Sequence, residues 1–266
     1  MSDNAGTHDL VIARYNEPLD WVKRVPENFR LHIYNKGGPD LPMEILERAT
    51  TYLPMRNAGR ESDTYLTHML EYGPGAGEYT VFAQGDPFEH SPDFLPLLER
   101  ADTWVDVQGL SWAWKEHIGH PPQTLLTPER SQVPGLRVRE ELYSLLTWTT
   151  LEWVDPGSER IGRNYRLLHR LPEGVNMMAH FLNMCELPDL AEECAKHLIG
   201  RHCYGAIFAV RNPLIAKLPQ RALVRMRQAA IGADAHGYFC ERLWLHVFGE
   251  PFLMPAPIGA PVIPEY

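Results

Sequence analysis

The sequence predicts an α/β fold in which a mainly parallel central sheet is flanked by helices, residues 1–266 forming one domain. Three observations point there. Strand-length apolar runs alternate with helical periods through the first hundred residues. The early strand runs each end in a polar loop, and a hydrophobic content of 44% over 266 residues supplies a sizeable core.

Taken in order, residues 1–9 are polar and are expected to fray. Leu10–Ala13 reads as a buried strand that delivers Arg14, Tyr15, Asn16 and Glu17 at its C-terminal end. Pro18 suits the first turn of a short helix over Leu19–Lys23. Phe29–Tyr34 alternates as a second strand and closes in the loop Asn35-Lys36-Gly37-Gly38-Pro39. Arg60–Glu71 has the helical period, and Asn57 and Gly59 suit the turn feeding it. Tyr79–Gln84 is a third strand, followed by Gly85-Asp86-Pro87-Phe88-Glu89-His90, and Pro92–Arg100 suits a short helix.

The segment 108–200 reads as an irregular and helical insertion, with helices at Met177–Phe181 and Leu187–Leu198, the latter stopped by Gly200. Tyr204–Val210 is a fourth strand, Arg221–Ala230 an amphipathic helix, and Tyr238–Phe248 a buried one. The tail 250–266 is proline-rich and is expected to lie extended.

A net charge of −9 and a pI near 5.7 argue against a general nucleic-acid or anionic-membrane binder, though not against a local basic cleft for a phosphorylated small molecule. Cys185, Cys194, Cys203 and Cys240 lack metal or disulfide spacing and read as reduced thiols. The start MSDNAGTHDL has neither a basic stretch nor an apolar one, so a cytoplasmic protein is expected. No apolar run approaches the roughly 18 residues needed to span a bilayer.

Three strands ending in polar segments matter because the C-terminal strand ends of an open parallel sheet face one crevice. The free amides before Arg60, with Asn57, Gly59 and Glu61 beside it, suit a phosphate or carboxylate, or serve as a plain helix cap with solvent-facing charges. Asp86, Glu89 and His90 form the densest set of candidate metal ligands or proton carriers, and oxygen ligands suit magnesium or manganese. His117 and His120 have weak metal spacing, and His180 reads as core. Glu241, beside Arg242 in an apolar helix, is either a tuned general base or half of a structural ion pair.

The segments LVIARYNEPLDWV, IYNKGG, NAGRESDTYLTHMLEY, VFAQGDPFEH and YFCERLWLHVFG resemble, in the same order, the motifs of an uncharacterised domain family of fungi and bacteria. The resemblance covers roughly residues 9–100 and 203–250. Its layout is in turn similar to glycosyltransferases of the GT-A type, which use nucleotide-sugar donors. That likeness implies that Arg14–Glu17 and Asn57–Arg60 bind the nucleotide, that Arg14 and Lys36 hold phosphates, and that Asp86 holds the diphosphate with Mg or Mn. It further implies that Glu241 is the catalytic base; His90, a second catalytic candidate, rests on the residues alone. Gln84 departs from the paired acids of that family's D-x-D strand end. The expected function is therefore transfer of a sugar from a nucleotide sugar to a small-molecule or glycan acceptor. Two alternatives stand beside it: another metal- or acid/base-dependent enzyme of small-molecule biosynthesis, and a non-catalytic nucleotide- or sugar-binding protein.

Overall fold

The computed structural model describes residues 7–112, 133 and 135–254. Six strands form the central sheet: β1 (His8–Arg14), β2 (Phe29–Asn35), β3 (Ala49–Pro54), β4 (Tyr79–Gln84), β5 (Val107–Gly109) and β8 (Phe208–Arg211). Their order is β3-β2-β1-β4-β8-β5, with β3, β2, β1 and β4 mutually parallel and β8 antiparallel to both β4 and β5. The fold is thus a mixed α/β one with a mainly parallel six-stranded sheet flanked by helices.

Central β1 carries Leu10, Val11 and Ile12 with no exposed surface, as expected of a strand covered on both faces. Alternation then splits the core into two layers. Leu10, Ile12, Ile33 and Val81 pack with Trp21, Ile45 of α1 (Met43–Arg48), and Phe94 and Leu98 of α3 (Phe94–Leu98). On the other face, Val11, Tyr34, Phe82 and Phe208 meet α2 (Arg60–Glu71), α8 (Gln220–Gly232) and α9 (Asp234–Val247) through Tyr65, Met226 and Trp244. A two-stranded sheet of β6 (Glu141–Ser144) and β7 (Ile199–His202) joins the second layer. So do α4 (Pro156–His169), α5 (Met177–Met184), α6 (Pro188–Ala195) and α7 (Asn212–Ala216).

The structure departs from the sequence expectation at several points. The first strand starts at His8, not after a frayed 1–9, because Asp9 is matched inside the sheet by Arg30 at 2.8 Å and by His32 Nε2 at 2.9 Å. The edge strand β3 was not foreseen; ATTYLP is half-exposed and lacks an apolar run. Tyr204–Val210 is not one strand: Gly205 (φ 68°) and Ala206 (φ 54°) are left-handed, so the chain turns at 204–206 before β8. Nor is 108–200 merely an insertion, since β5 overlaps its start and pairs with β8 in the central sheet. The helix expected over Leu187–Leu198 ends at Ala195, and Gly200 pairs with Tyr143 inside β7 rather than serving as a helix stop. His180 is half-buried, and its Nδ1 lies 2.8 Å from the Tyr165 hydroxyl. All four cysteines are free and buried. His117, His120 and the tail beyond Met254 lie outside the described residues. Among the described residues, no helix is long and apolar enough to cross a membrane.

Candidate functional site

The strand order creates a topological switch between β1 and β4, since β2 and β3 lie to one side of β1 and β4 to the other. A cavity of about 300 Å³ opens at that point, walled by Arg14, Tyr15 and Glu17 at the end of β1, Gln84 and Asp86 at the end of β4, and Lys36, Asn57, Arg60 and Glu61. A second cavity of about 190 Å³ shares Arg60 and Gln84 with it. That cavity is lined by His90, Tyr204 and Gly205, by Tyr238, Glu241 and Arg242 of α9, by Trp148, and by Asp155, Ser158 and Arg160 at the start of α4.

Within the first cavity the two cations assigned to phosphates by resemblance are occupied by protein. Arg14, 3% exposed, donates to the Glu17 carbonyl at 2.9 Å, Asn35 Oδ1 at 2.8 Å and the Gly38 carbonyl at 2.9 Å, and pairs with Asp40 at 3.0 Å. It thereby clips the loop after β2 onto the loop after β1. Asn16 Oδ1 completes the clip by accepting the Gly38 N–H at 3.1 Å, while Glu17 Oε2 accepts the Tyr15 N–H at 2.6 Å. The buried Lys36 ammonium donates to the carbonyls of Ala58 and Arg60 and lies 3.3 Å from Asp63. Burial lowers its pKa, and Asp63 opposes the fall. Arg14 and Lys36 thus line the cavity with their donors engaged by protein acceptors, and in that arrangement they brace its wall.

Arg60 is the cation that lines both cavities, and its Nε lies 3.6 Å from Glu61 Oε2. The turn before α2 places it there: Gly59 (φ 62°) and Arg60 (φ 52°) are both left-handed, and a Cβ on Gly59 would lie 2.8 Å from that of Asp63. Its guanidinium sits 4.1 Å over the Tyr238 ring, with Nη1 2.8 Å from the Tyr238 hydroxyl, and the side chain stays 42% exposed.

Two carboxylates face each other electrostatically at the junction. Glu61 is 7% exposed, its Oε1 has no hydrogen-bond partner among the described residues, and burial raises its pKa. Glu241 Oε1 accepts the Gly205 N–H at 2.9 Å. Burial, then repulsion from Glu61, pushes the Glu241 carboxyl up to about 7 against the pull of Arg242 and Arg60. The simple alternative of a Glu241–Arg242 pair does not form. Arg242 instead lies 3.7 Å over the Trp148 ring, donates to the Trp148 carbonyl, and is 3.9 Å from Asp155. Gly205 is needed where it stands, because a Cβ there would come 2.6 Å from the His90 ring.

Asp86 is exposed, and its Oδ1 accepts the Phe88 N–H at 3.1 Å. Glu89 lines neither cavity, and among the described residues no three His, Cys, Asp or Glu side chains converge as metal ligands. Asp86, Glu89 and His90 thus do not assemble into one ligand set. Asp86 is the one acid of this set that lines the first cavity, and it offers a single carboxylate there.

Sequence reasoning missed Trp148, Asp155, Ser158, Arg160, Tyr204 and Tyr238. One signal was available: Asp155-Pro156-Gly157-Ser158 is a helix-start pattern, and the Asp155 side chain does accept the Gly157 N–H at 2.9 Å. No protein-family model matches the chain, and no curated protein matches it. Among solved structures, it is similar to core-mannan synthase A of Aspergillus fumigatus in an Mn/GDP form, at 9% identity and a TM-score of 0.28, covering 89% of this chain and 70% of that one.

Proposed function

We propose that the chain is a glycosyltransferase-like enzyme that moves a sugar from a nucleotide-diphosphate donor to a hydroxyl acceptor. The observation that carries this reading is the pair of contiguous cavities at the β1/β4 switch, joined at Arg60 and Gln84, with a raised-pKa carboxyl in the second. The nucleotide occupies the first cavity, beside Tyr15, Glu17 and Asn57. The diphosphate lies against Arg60, whose charge offsets that developing on the leaving group. A magnesium or manganese ion brought with the diphosphate would be held by Asp86 and would supply Lewis-acid stabilisation.

The acceptor occupies the second cavity. Glu241 removes the proton of its hydroxyl as that oxygen bonds to the anomeric carbon. The bond from that carbon to the diphosphate oxygen breaks, and its electron pair leaves with the nucleotide, inverting the centre. A carboxylate with a pKa near 7 is a far stronger base than an ordinary one, and the Gly205 N–H keeps it oriented. Glu61, Lys36 and Arg14 are positioning groups.

A second reading, a nucleotide-sugar binding protein without turnover, is favoured by the engagement of Arg14 and Lys36 inside the protein. The experiment is a thermal-shift and product assay over a panel of nucleotide sugars, with and without manganese. Stabilisation with released nucleotide supports transfer. Stabilisation without release supports the binding protein, and no stabilisation by any donor or nucleotide removes both.

A further inference from the structure

Helix α4 is amphipathic in an unusual sense. Its buried face, with Ser158, Gly162 and Tyr165, packs inward. Its opposite face combines arginines with exposed leucines. Arg160, Arg163 and Leu167 follow one another at i, i+3 and i+7 and so share one stripe. Leu167 is 70% exposed and Leu168 56%, and Val154, two residues before the helix, is 73% exposed. Leucines that open to solvent on a single helix are not needed for its packing, since Tyr165 already anchors it.

The charges of this face are also uncommitted. Among the described residues, Arg160, Arg163 and Arg170 enter no ion pair and have no hydrogen-bonded side chain, whereas Arg166 donates to the carbonyls of Leu146 and Pro172. Glu159 is the one acid on the helix. In a chain of net charge −9, such a stretch is a local reversal of sign. Beyond Leu168 lies a cavity of about 440 Å³ of mixed lining, where Met184 is 37% exposed and Arg225 is paired with Glu186 at 2.7 Å.

We propose that this face of α4 docks the protein on an anionic lipid bilayer, Leu167 and Leu168 entering the interface and Arg163 and Arg170 meeting lipid phosphates and carboxylates. Exposed aliphatic side chains framed by arginine are the composition that interfacial helices use, and the anionic surface attracts each arginine within a screening length. The orientation has a consequence for the site. The helix is about 21 Å long at 1.5 Å per residue. Its first turn, with Ser158 and Arg160, walls the second cavity, while its last turn carries the leucines. Docking through α4 therefore brings that wall of the cavity toward the membrane, a consequence that for an acceptor at the bilayer surface rests on the proposed function.

Vesicle flotation of the full chain tests this without reference to turnover, so failure of the proposed reaction and failure of docking are separately visible. Vesicles of phosphatidylcholine alone are compared with vesicles containing about 30 mol% phosphatidylserine. The wild type is expected to float with the anionic vesicles only and to be released by salt. Arg163→Gln with Arg170→Gln should weaken binding about 25-fold, at about fivefold per arginine. Leu167→Ser with Leu168→Ser should weaken it by at least about tenfold. Both pairs are solvent-facing, so unchanged thermal unfolding is expected and is measured alongside. No flotation of the wild type, or equal flotation of the wild type and both double variants, overturns the proposal. So does a concentration-dependent dimer that Leu167→Ser/Leu168→Ser dissolves, because a second copy would then cover the face.

Discussion

The two cavities share a wall but use charge in opposite ways. Around the first, cations are neutralised by the protein: Arg14 is ringed by Glu17, Asn35, Gly38 and Asp40, and Lys36 by Ala58, Arg60 and Asp63. Around the second, the acid is left without a direct cationic partner. Glu241 is pushed up by burial and by Glu61 of the neighbouring cavity, and Arg242 is stacked on Trp148 rather than bonded to the acid next to it. A braced region holds a shape, whereas an acid held apart from the neighbouring cation stays available to take a proton. On the proposed function the first cavity positions the donor and the second carries the chemistry.

The sharpest way to break that contrast is Glu241→Gln. The amide still accepts the Gly205 N–H but takes no proton, so turnover should fall about 10²–10⁴-fold while donor affinity is kept. Turnover within threefold of wild type in a quantified product assay would remove Glu241 from the chemistry.

Next in size is the brace. Arg14→Gln loses hydrogen bonds to three partners and a salt bridge in a buried place, at a cost of about 2–4 kcal/mol of stability. Urea unfolding should show the loss, and the residual activity per folded molecule should fall far less than for Glu241→Gln. The reverse ranking would mean that Arg14 touches the reacting phosphates after all.

A third test uses pH. The folded-state pKa of Glu241, about 7, lies above the ordinary value of 4.5 that it has when unfolded. The neutral form is thus favoured by folding. Its contribution is fully present below about pH 4.5 and is lost as pH rises through 7. Glu241→Gln should therefore match wild-type stability near pH 4.5 and exceed it by about 3 kcal/mol above pH 7.5. The same titration predicts that wild-type turnover falls on the acid side of about pH 7. Unfolding curves whose difference stays constant across that window would contradict the burial of this charge.

The braced cavity was the more legible of the two, and the reason is physical. Its residues sit at the ends of β1, β2 and β4, which announce themselves as apolar runs, and the rule for parallel sheets then brings those ends together. What could not be read was that Arg14 and Lys36, in lining that cavity, give their donors to the carbonyls of Gly38, Ala58 and Arg60, which have no sequence signature. The second cavity draws on Trp148, Asp155, Tyr204 and Tyr238 from four separate segments. No periodicity links these, and β3 and β5 were equally silent because edge strands of mixed polarity lack an apolar run. Glu241 was legible for a different reason: a lone acid in YFCERLW is conspicuous wherever its partners lie.

The smallest expected effect belongs to the residue common to both cavities. Arg60 is held by the Tyr238 ring and hydroxyl but remains partly open, and its backbone is left-handed irrespective of its side chain. Arg60→Gln keeps the carbonyl that receives Lys36 and removes only the guanidinium. Loss of one charge-assisted contact to a diphosphate corresponds to about 1.5–2 kcal/mol, or roughly 10–30-fold in affinity for a nucleoside diphosphate. The same change removes a positive charge from beside Glu241 and Glu61, which should move the acid limb of the pH–rate profile to higher pH. Calorimetric titration and the profile together make the test strict. A weaker affinity with an unmoved limb would place Arg60 with the braced cavity alone, and a moved limb with unchanged affinity would place it with the reactive one. Only both changes together fit a guanidinium that joins the two.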